Sequence, residues 1–390
     1  MTNLFLVLFC INLVFASEKS VQNFKNGNKV FSGDVYKEIA KNEKDDFVVS
    51  PFSAQTILAL AQNGAKGETG TEIRSALRLP NSRRQINSVF KSLLSKLGTH
   101  KDTFTLQTAN KIYIKDKYPI KPGFNQTATE IYHSETENID FAQNAIAAEK
   151  INTWVSQHTN NTIKGLIEPQ KLNQDTVALL INAIYFSGAW KKPFKGRLTK
   201  KRPFKAPSGE LEVEMMANSD FFGYHESKEL DATFLQMPFR GDAHMVVVLP
   251  KEDAGIAHLE SQLELVYKSP IFTWEYVAVT IPKFKIETSV DFKRVLRSLG
   301  VKKAFRKADF SDLAGEKGEI RVTDVVQKAF IGVDEGGVVA SAATAVIFQP
   351  KSLRQNPGTK KYFTADHPFL FYIKINDVVI FTGRVLSPEF

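Results

Sequence analysis

The chain has 390 residues, of which 43% are hydrophobic and 24% are charged, and its formal net charge is +9. This composition excludes an intrinsically disordered chain, which has fewer hydrophobic residues, and a membrane protein with several long apolar runs. The length suits either two or three average domains or one large α+β unit.

The first predicted element is an apolar run at residues 4–15, LFLVLFCINLVF, which ends at Ala16. The run is too short to span a bilayer, and Ala16 is the small residue that a signal peptidase needs. We therefore predict a signal peptide at residues 1–16 and a secreted, extracellular chain of one domain over residues 17–390. No Lys or Arg precedes the run, which departs from the usual signal pattern. Because the one cysteine, Cys10, lies in this segment, the mature chain is expected to hold no disulfide.

Hydrophobic spacing predicts helices over residues 21–41, 83–97 and 143–160. Runs rich in β-branched and aromatic residues predict strands. These strands are expected at 104–114, 176–186, 245–249, 276–281, 321–333 and 368–386, with Asn376-Asp377 as a hairpin turn in the last run. The helices gather toward the N-terminal half, and no Pro/Gly-rich linker divides the chain, so the pattern indicates one α+β domain.

Basic residues are concentrated in one short stretch that contains no acidic residue. They are Lys191, Lys192, Lys195, Arg197, Lys200, Lys201, Arg202 and Lys205. In a secreted protein, such a stretch favours binding of heparin or another sulfated glycan over nucleic acid. An ordinary solvated loop is the alternative interpretation.

Two sequons, Asn125-Gln-Thr127 and Asn160-Asn-Thr162, predict glycosylation sites if the chain is secreted. Motifs for a catalytic site are not found: there is no G-x-S-x-G elbow, H-E-x-x-H pair, Walker loop or G-x-G-x-x-G sequence. The seven histidines are scattered, and no two are spaced to share one helical face. We therefore predict a protein that is not an enzyme, with no metal site and no cofactor.

Residues 335–352, EGGVVASAATAVIFQPKS, join a flexible Gly336-Gly337 pair to a run of small and β-branched residues. Both faces of that run are small enough to enter a sheet, yet it adjoins a polar loop at 351–361 that belongs at the surface. This conflict indicates a segment that occupies two states at different times, or an ordinary edge strand before a long loop.

Seven motifs, taken in order, resemble those of the serpin family, and the resemblance covers essentially all of residues 21–390. The motifs are Val49-Ser-Pro-Phe-Ser53, Tyr132-His-Ser-Glu135 with Asp140-Phe141, Ile151-Asn-Thr-Trp-Val155 with Thr159 and Ile163, Asn182-Ala-Ile-Tyr-Phe-Ser-Gly-Ala-Trp190 with Phe194, Pro282-Lys-Phe-Lys285, Gln327-Lys-Ala-Phe330, and His367-Pro-Phe369 with Phe381-Thr-Gly383. The tail from Phe381 to Pro388 is most similar to arthropod serpins. The resemblance implies three β-sheets, eight or nine helices and an exposed reactive-centre loop at about 336–361.

The resemblance also implies the mechanism of a serine protease inhibitor that works once. A protease cuts the bait bond and forms an acyl-enzyme, and the freed arm of the loop then inserts into the central sheet and distorts the trapped protease. The expected partner is this protease, held in a covalent complex. The inhibitor itself is expected to be a monomer, and binding to nucleic acid or to a membrane is not expected.

Family spacing from the hinge glutamate, Glu335, implies that the bait bond joins Lys351 to Ser352. A lysine at this place suits a trypsin-like protease, including those of clotting, complement-like and innate immune cascades. Arg354, with a longer arm, and Phe348, with a shorter one, are the rival bait residues.

The resemblance identifies a hinge at Glu335, Gly336, Gly337, Val338, Ala340 and Ala342. Val338 and Val339 depart from the usual Thr or Ser and Glu, but both are uncharged, so their burial carries no charge-desolvation cost. The departure leaves open a serpin that does not inhibit and serves as a carrier, storage protein or chaperone.

Two polar groups are implied around the central sheet. Ser50, Ser53 and Asn182 match a buried cluster that controls sheet opening, with Gln327 in place of its usual histidine. Lys283 and Glu335 match an ion pair beside Trp190 that tethers the loop. Simple packing is the alternative role for all these residues, Trp190 above all.

Overall fold

The computed structural model describes residues 2–97, 103–268, 270–338 and 359–390, with side chains from residue 18 onward. The proposed bait residues Lys351 and Ser352, the rivals Phe348 and Arg354, and the hinge residues Ala340 and Ala342 lie outside the described residues.

Nine α-helices form in the described part of the chain. They are α1 (Thr2–Ala40), α2 (Pro51–Gly64), α3 (Gly67–Ala76), α4 (Arg83–Leu97), α5 (Pro122–Tyr132), α6 (Asn144–His158), α7 (Ile256–Ser261), α8 (Leu263–Tyr267) and α9 (Phe292–Ser298). The three helices predicted from spacing are confirmed as part of α1, as α4 and as α6. Residues 2–16 form the start of α1, so cleavage at Ala16 stays a prediction. No helix among the described residues has both the length and the apolarity needed to cross a membrane.

Each of the six predicted runs overlaps a strand, or two in the last run, and eight others were not predicted, so fifteen strands form among the described residues. They are β1 (Phe47–Val49), β2 (Phe104–Lys115), β3 (Glu135–Ile139), β4 (Ala178–Ala189), β5 (Lys200–Ala206), β6 (Gly209–Ser227), β7 (Ala232–Pro238), β8 (Ala243–Pro250), β9 (Thr273–Pro282), β10 (Phe284–Asp291), β11 (Val322–Val333), β12 (Gly337–Val338), β13 (Lys361–Thr364), β14 (Phe369–Ile375) and β15 (Val378–Val385). Asn376 and Asp377 have φ of 51° and 64°, as a tight hairpin turn requires, so the predicted β14–β15 turn is confirmed.

Hydrogen bonding joins the described strands into two sheets. One has six strands in the order β10-β11-β12-β4-β2-β3; the other has nine, with β5 attached to β6 beside the path β1-β15-β14-β8-β7-β6-β9-β13. The expected third sheet is not separate, because β6 is 19 residues long and pairs in turn with β5, β9 and β7. The α+β class is confirmed.

The centre of the six-stranded sheet, around β4, is buried on both faces. On β4, Leu180, Ile184 and Phe186 belong to the main core, where α2 also packs, while Leu179 and Ile181 belong to a second core beneath α6. A strand covered on both sides reads as a continuous apolar run, as β4 does. Uncharged side chains on both faces are therefore favoured in a strand that enters beside β4, because their burial carries no cost of charge desolvation.

Candidate functional site

The six-stranded sheet opens at one end around the hinge. Strands β11 and β4 run parallel and pair directly from Val322 and Ala178 up to Phe330 and Tyr185. Beyond that point β12 lies between them, with Val338 paired to Val333 on one side and to Gly188 on the other. The sheet therefore already holds Gly337 and Val338, the second and third residues of the predicted loop.

Val338 is fully buried in the main core, and Gly337 allows it to reach that position. A Cβ atom at Gly337 would lie 2.0 Å from the carbonyl oxygen of Gly188, and the φ of Gly337 is 156°. No side chain fits so close to the β4 backbone. The glycine predicted as a flexible joint is therefore also required by a close approach of two strands.

A turn at Asp334 holds the entry to β12. Its carboxylate accepts hydrogen bonds from the backbone N–H of Gly336 at 2.8 Å and of Gly337 at 3.1 Å. Such a turn is typical of Asp, whose short side chain reaches the backbone two residues on. Asp334 was not predicted from the sequence, although an Asp directly before Glu-Gly-Gly was a usable signal.

Trp190 fixes the same turn from β4. Its indole N–H donates to the carbonyl oxygen of Asp334 at 3.0 Å, and its backbone N–H donates to that of Gly336 at 2.9 Å. The indole also stacks on Phe239, with ring centroids 4.4 Å apart and planes 10° apart. Packing, the alternative interpretation of Trp190, is therefore combined with a direct hydrogen bond to the hinge turn.

The structure brings Lys283 and Glu335 together, and other groups share the interaction. The Lys283 ammonium lies 3.6 Å from Glu335 and 3.3 Å from Glu214, and Thr199 donates to Glu335 at 2.7 Å. Burial raises the pKa of Glu335, but the hydrogen bond from Thr199 and the charge of Lys283 outweigh burial and hold it below the usual value of 4.5. Glu335 is thus ionised near neutral pH. Neither Thr199, directly before β5, nor Glu214 in β6 was predicted, because both are distant from Glu335 in sequence.

The predicted polar cluster under the sheet is fully buried, and Gln327 lies at its centre. The Gln327 amide donates to the backbone oxygen of Ser50 at 2.9 Å and accepts from its N–H at 2.8 Å. It also donates to Asn182, which in turn donates to Ser53. Gln327 thus performs both the donor and the acceptor role expected of it.

Asn110 completes this cluster and was missed from the sequence. Asn182 donates to the side-chain oxygen of Asn110, its partner in the β2–β4 ladder. Gln327 is the ladder partner of Asn182 on the other side. Three amides therefore form one row across β2, β4 and β11. The row crosses the seam between β4 and β11, which is the junction that an incoming strand must open.

Ser50 connects the row to the second sheet. Its hydroxyl donates to the carbonyl oxygen of Ile380 in β15 at 2.6 Å and accepts from the N–H of Ser53 as the N-cap of α2. A cap of this kind contributes about 1 kcal/mol to helix stability. The start of α2 and the seam between β11 and β4 are therefore held by the same side chains.

Acidic residues accompany the basic stretch in space. Within the β5–β6 ladder, Lys201 pairs with Glu214 and Lys205 with Glu210. Elsewhere Lys192 lies 2.5 Å from Asp220. The stretch therefore presents less net positive charge than its own sequence indicates. Both sequon asparagines, Asn125 and Asn160, are exposed.

Potential metal ligands do not gather in the described ranges: no group of three or more His, Cys, Asp or Glu side chains is placed to hold an ion.

Comparison with known proteins gives matches over most of the chain. The family model described as Serpin (serine protease inhibitor) matches residues 26–388. Antichymotrypsin-2 of Bombyx mori is 36% identical over 92% of this chain and 96% of its own, and Antitrypsin of Bombyx mori is 34% identical over 98% and 99%. The crystal structure of Serpin48 from Tenebrio molitor is 42% identical, with a TM-score of 0.89 over 94% of this chain and 99% of that one.

Proposed function

The chain belongs to the serpin (serine protease inhibitor) family, and on this premise we propose that it is a secreted trap for trypsin-like serine proteases. Its insect relatives confirm the arthropod resemblance. The two Bombyx mori relatives are named for inhibition of different proteases, so similarity over the whole chain does not select the protease class. The bait residue selects it, and we assign that role to Lys351.

The position of Val338 in the sheet is the observation that carries this assignment. Val338 pairs with Val333, and continuing the antiparallel register one residue at a time aligns Gln349 with Val322, the first residue of β11. The arm from 338 to 349 then has twelve residues, which is the same length as β11. Lys351 would then follow two residues past the end of the inserted strand, so the acylated protease would be held at the far end of the sheet with little free chain between them.

The side chains of the arm suit this insertion. Val338 faces the main core, so the period of two directs Ala340, Ala342, Thr344 and Val346 to the same side. All are uncharged, and most are small, so their burial carries no ionic desolvation cost. An inserted strand forms ladder bonds with both β11 and β4, replacing one ladder with two, at about 1 kcal/mol net for each hydrogen bond. The native state is then a kinetic trap, whose lifetime is set by the barrier to opening the seam.

The proposed chemistry joins the serine hydroxyl of the protease to the carbonyl carbon of Lys351 as an ester. The peptide bond to Ser352 breaks, and Ser352 takes up a proton as the new amino terminus. Insertion of the arm then carries the ester to the far end of the sheet before water hydrolyses it.

The test mixes the purified protein with trypsin and separates the products on a denaturing gel. We expect a band of the summed mass and a C-terminal fragment that begins at Ser352 by mass spectrometry. Lys351→Ala should abolish the complex with trypsin, whereas the matched control Arg354→Ala should keep it. A gel with a cleaved band and no complex would support the non-inhibitory alternative. A C-terminal fragment that begins at Gln355 would show that Arg354 is the bait residue.

We propose glycan binding by the Lys191–Lys205 stretch as a separate property. It is supported by the exposed side chains of Lys200, Lys201 and Arg202 on β5, while the acidic residues of β6 oppose it. If Lys200→Gln, Lys201→Gln and Arg202→Gln together leave retention on a heparin column unchanged, this surface is excluded.

A further inference from the structure

A basic cleft lies at the end of the six-stranded sheet opposite the hinge. It has a volume of about 970 Å³ and is formed by α9 and by the segment 302–321 that leads into β11. Its exposed basic residues are Arg297, Lys302, Arg306, Lys307, Lys317 and Arg321. No acidic residue lines the cleft.

These six side chains have no ion-pair partner among the described residues, unlike Lys293, which lines the cleft and lies 3.4 Å from Asp324. The nearby acids are engaged elsewhere. Glu72 accepts from the backbone N–H groups of Lys302 and Lys303 at 2.7 and 2.6 Å. Asp309 accepts from the Ser311 hydroxyl at 2.7 Å, although Lys317 still helps to lower the pKa of Asp309, after the larger effect of Ser311. The cleft therefore keeps a concentrated positive charge.

The basic side chains around the cleft repel one another, which destabilises the unliganded protein. They also attract an anion of matching shape. Lys307 adds a second cost, since its φ is 56°, a left-handed conformation that a lysine rarely adopts. The repulsion between the basic side chains is offset if an anionic ligand lies in the cleft.

We propose that this cleft binds a sulfated polysaccharide chain. The guanidinium groups of Arg297, Arg306 and Arg321 are planar forks that match the oxygens of a sulfate group. The concave shape accepts a linear chain and would not lie against a flat membrane. Nucleic acid is disfavoured because Phe305, the one aromatic residue in the lining, is half-buried and packs against the core, so it provides no platform for base stacking.

The site is separate from the β5 stretch and includes no residue of the bait loop. Its test therefore does not depend on whether the protein inhibits a protease. Lys293 also connects the cleft to the sheet: its ammonium donates to the carbonyl oxygen of Thr323, near the start of β11, at 2.6 Å. A bound chain would thus lie beside the strand that must separate from β4.

The experiment measures heparin affinity by titration calorimetry at several salt concentrations for two triple variants of the full chain. The cleft variant is Arg297→Gln, Arg306→Gln and Arg321→Gln; the control, Lys44→Gln, Lys91→Gln and Lys228→Gln, removes the same formal charge from exposed positions outside both basic surfaces. We expect the cleft variant to lose at least about tenfold in affinity, with a salt slope smaller by about two to three, and the control to lose less than about twofold.

Circular dichroism and melting temperature establish that both variants fold. As a further check, Arg297→Lys, Arg306→Lys and Arg321→Lys keep the charge and lose the forks, so this variant should bind with intermediate affinity. Equal losses in the two triple variants, no loss in either, or a DNA duplex that binds wild type as tightly as heparin would each overturn the proposal.

Discussion

Phe330 pairs directly with Tyr185 in the ladder between β11 and β4, and this pair is the last before the two strands separate around Val338. Below it, the sheet is closed as far as Val322 and Ala178. Three residues further along the seam, Gln327 and Asn182 form the amide row. Separation of β11 from β4 therefore begins beside Gly337 and Val338, which already lie in the sheet. It must then break the buried hydrogen bonds of the amide row, and these bonds set a barrier to premature insertion.

Substitution of Gly337 should impair trapping. In Gly337→Ala the new methyl group collides with the Gly188 backbone, so Val338 loses its position and insertion starts late. We expect a several-fold rise in the number of inhibitor molecules cleaved for each trypsin molecule trapped. The matched control is Gly336→Ala, at an exposed position. Equal trapping by the two variants would show that the seated hinge has no role in insertion.

Removal of the central amide should destabilise the closed sheet. Asn182→Ala leaves Ser53, Asn110 and Gln327 without a shared partner, at about 1–3 kcal/mol for each unsatisfied buried group. The intact protein should melt at a lower temperature and polymerise faster on mild heating. Asn81→Ala, at an exposed asparagine, should change the free energy of unfolding by no more than about 0.5 kcal/mol. Equal melting temperatures for the two variants would contradict a role of the row.

Acid should release the hinge tether. Because the native environment holds the pKa of Glu335 below 4.5, the carboxylate stabilises the tethered state above that pH, and the effect is lost as pH falls through the lower native pKa. Spontaneous conversion to an inactive, loop-inserted form should therefore accelerate several-fold below about pH 4.5, consistent with an ion pair worth about 1 kcal/mol.

In Glu335→Gln, this conversion should already be fast at pH 7 and should depend less on pH. Glu229→Gln, at an exposed glutamate, should behave like wild type. The measurement is the residual inhibitory activity after incubation at each pH. A wild-type rate that stays constant from pH 7 to pH 4, without unfolding, would exclude the tether.

Trp190 should report insertion by fluorescence. It is 2% exposed, stacked on Phe239 and bonded to the turn that precedes the inserting arm. With Trp154→Phe and Trp274→Phe, Trp190 is the sole source of tryptophan emission. We expect a shift in its emission when the loop is cut, in step with formation of the covalent complex. An unchanged spectrum in a complex seen on the gel would show that the turn stays fixed during trapping.

Hydrophobic spacing in the sequence predicted three helices, and it missed α2, where burial is nearly complete. Helix α4 keeps a clean apolar stripe and was found with its bounds, whereas α2, from Pro51 to Gly64, is buried almost all round and shows no stripe. The hinge strand β12 is only two residues long, too short for any pattern. Its place in the sheet depends on the Gly188 backbone, which is distant in sequence.

The polar role of single residues was easier to predict from the sequence than the residues with which they form hydrogen bonds. Family motifs identified Ser50, Ser53, Asn182 and Gln327, and the structure brings all four together. Asn110 was missed because nothing within β2 distinguishes it from a surface residue until Asn182 lies opposite. The charge of the basic stretch was overestimated for the same reason, since the opposing acids belong to β6 and not to the stretch itself.

The central claim is that the sheet is more stable with the arm inside, and the melting temperature after a single cut tests it most directly. A metalloprotease forms no acyl-enzyme with its substrate, so it can cut near Lys351 without being trapped. The account predicts that the cut protein melts well above the intact one, and that Ala340→Arg, which buries a charge on the core-facing side, removes this gain. A cut wild-type protein that melts at the temperature of the intact form would contradict the claim.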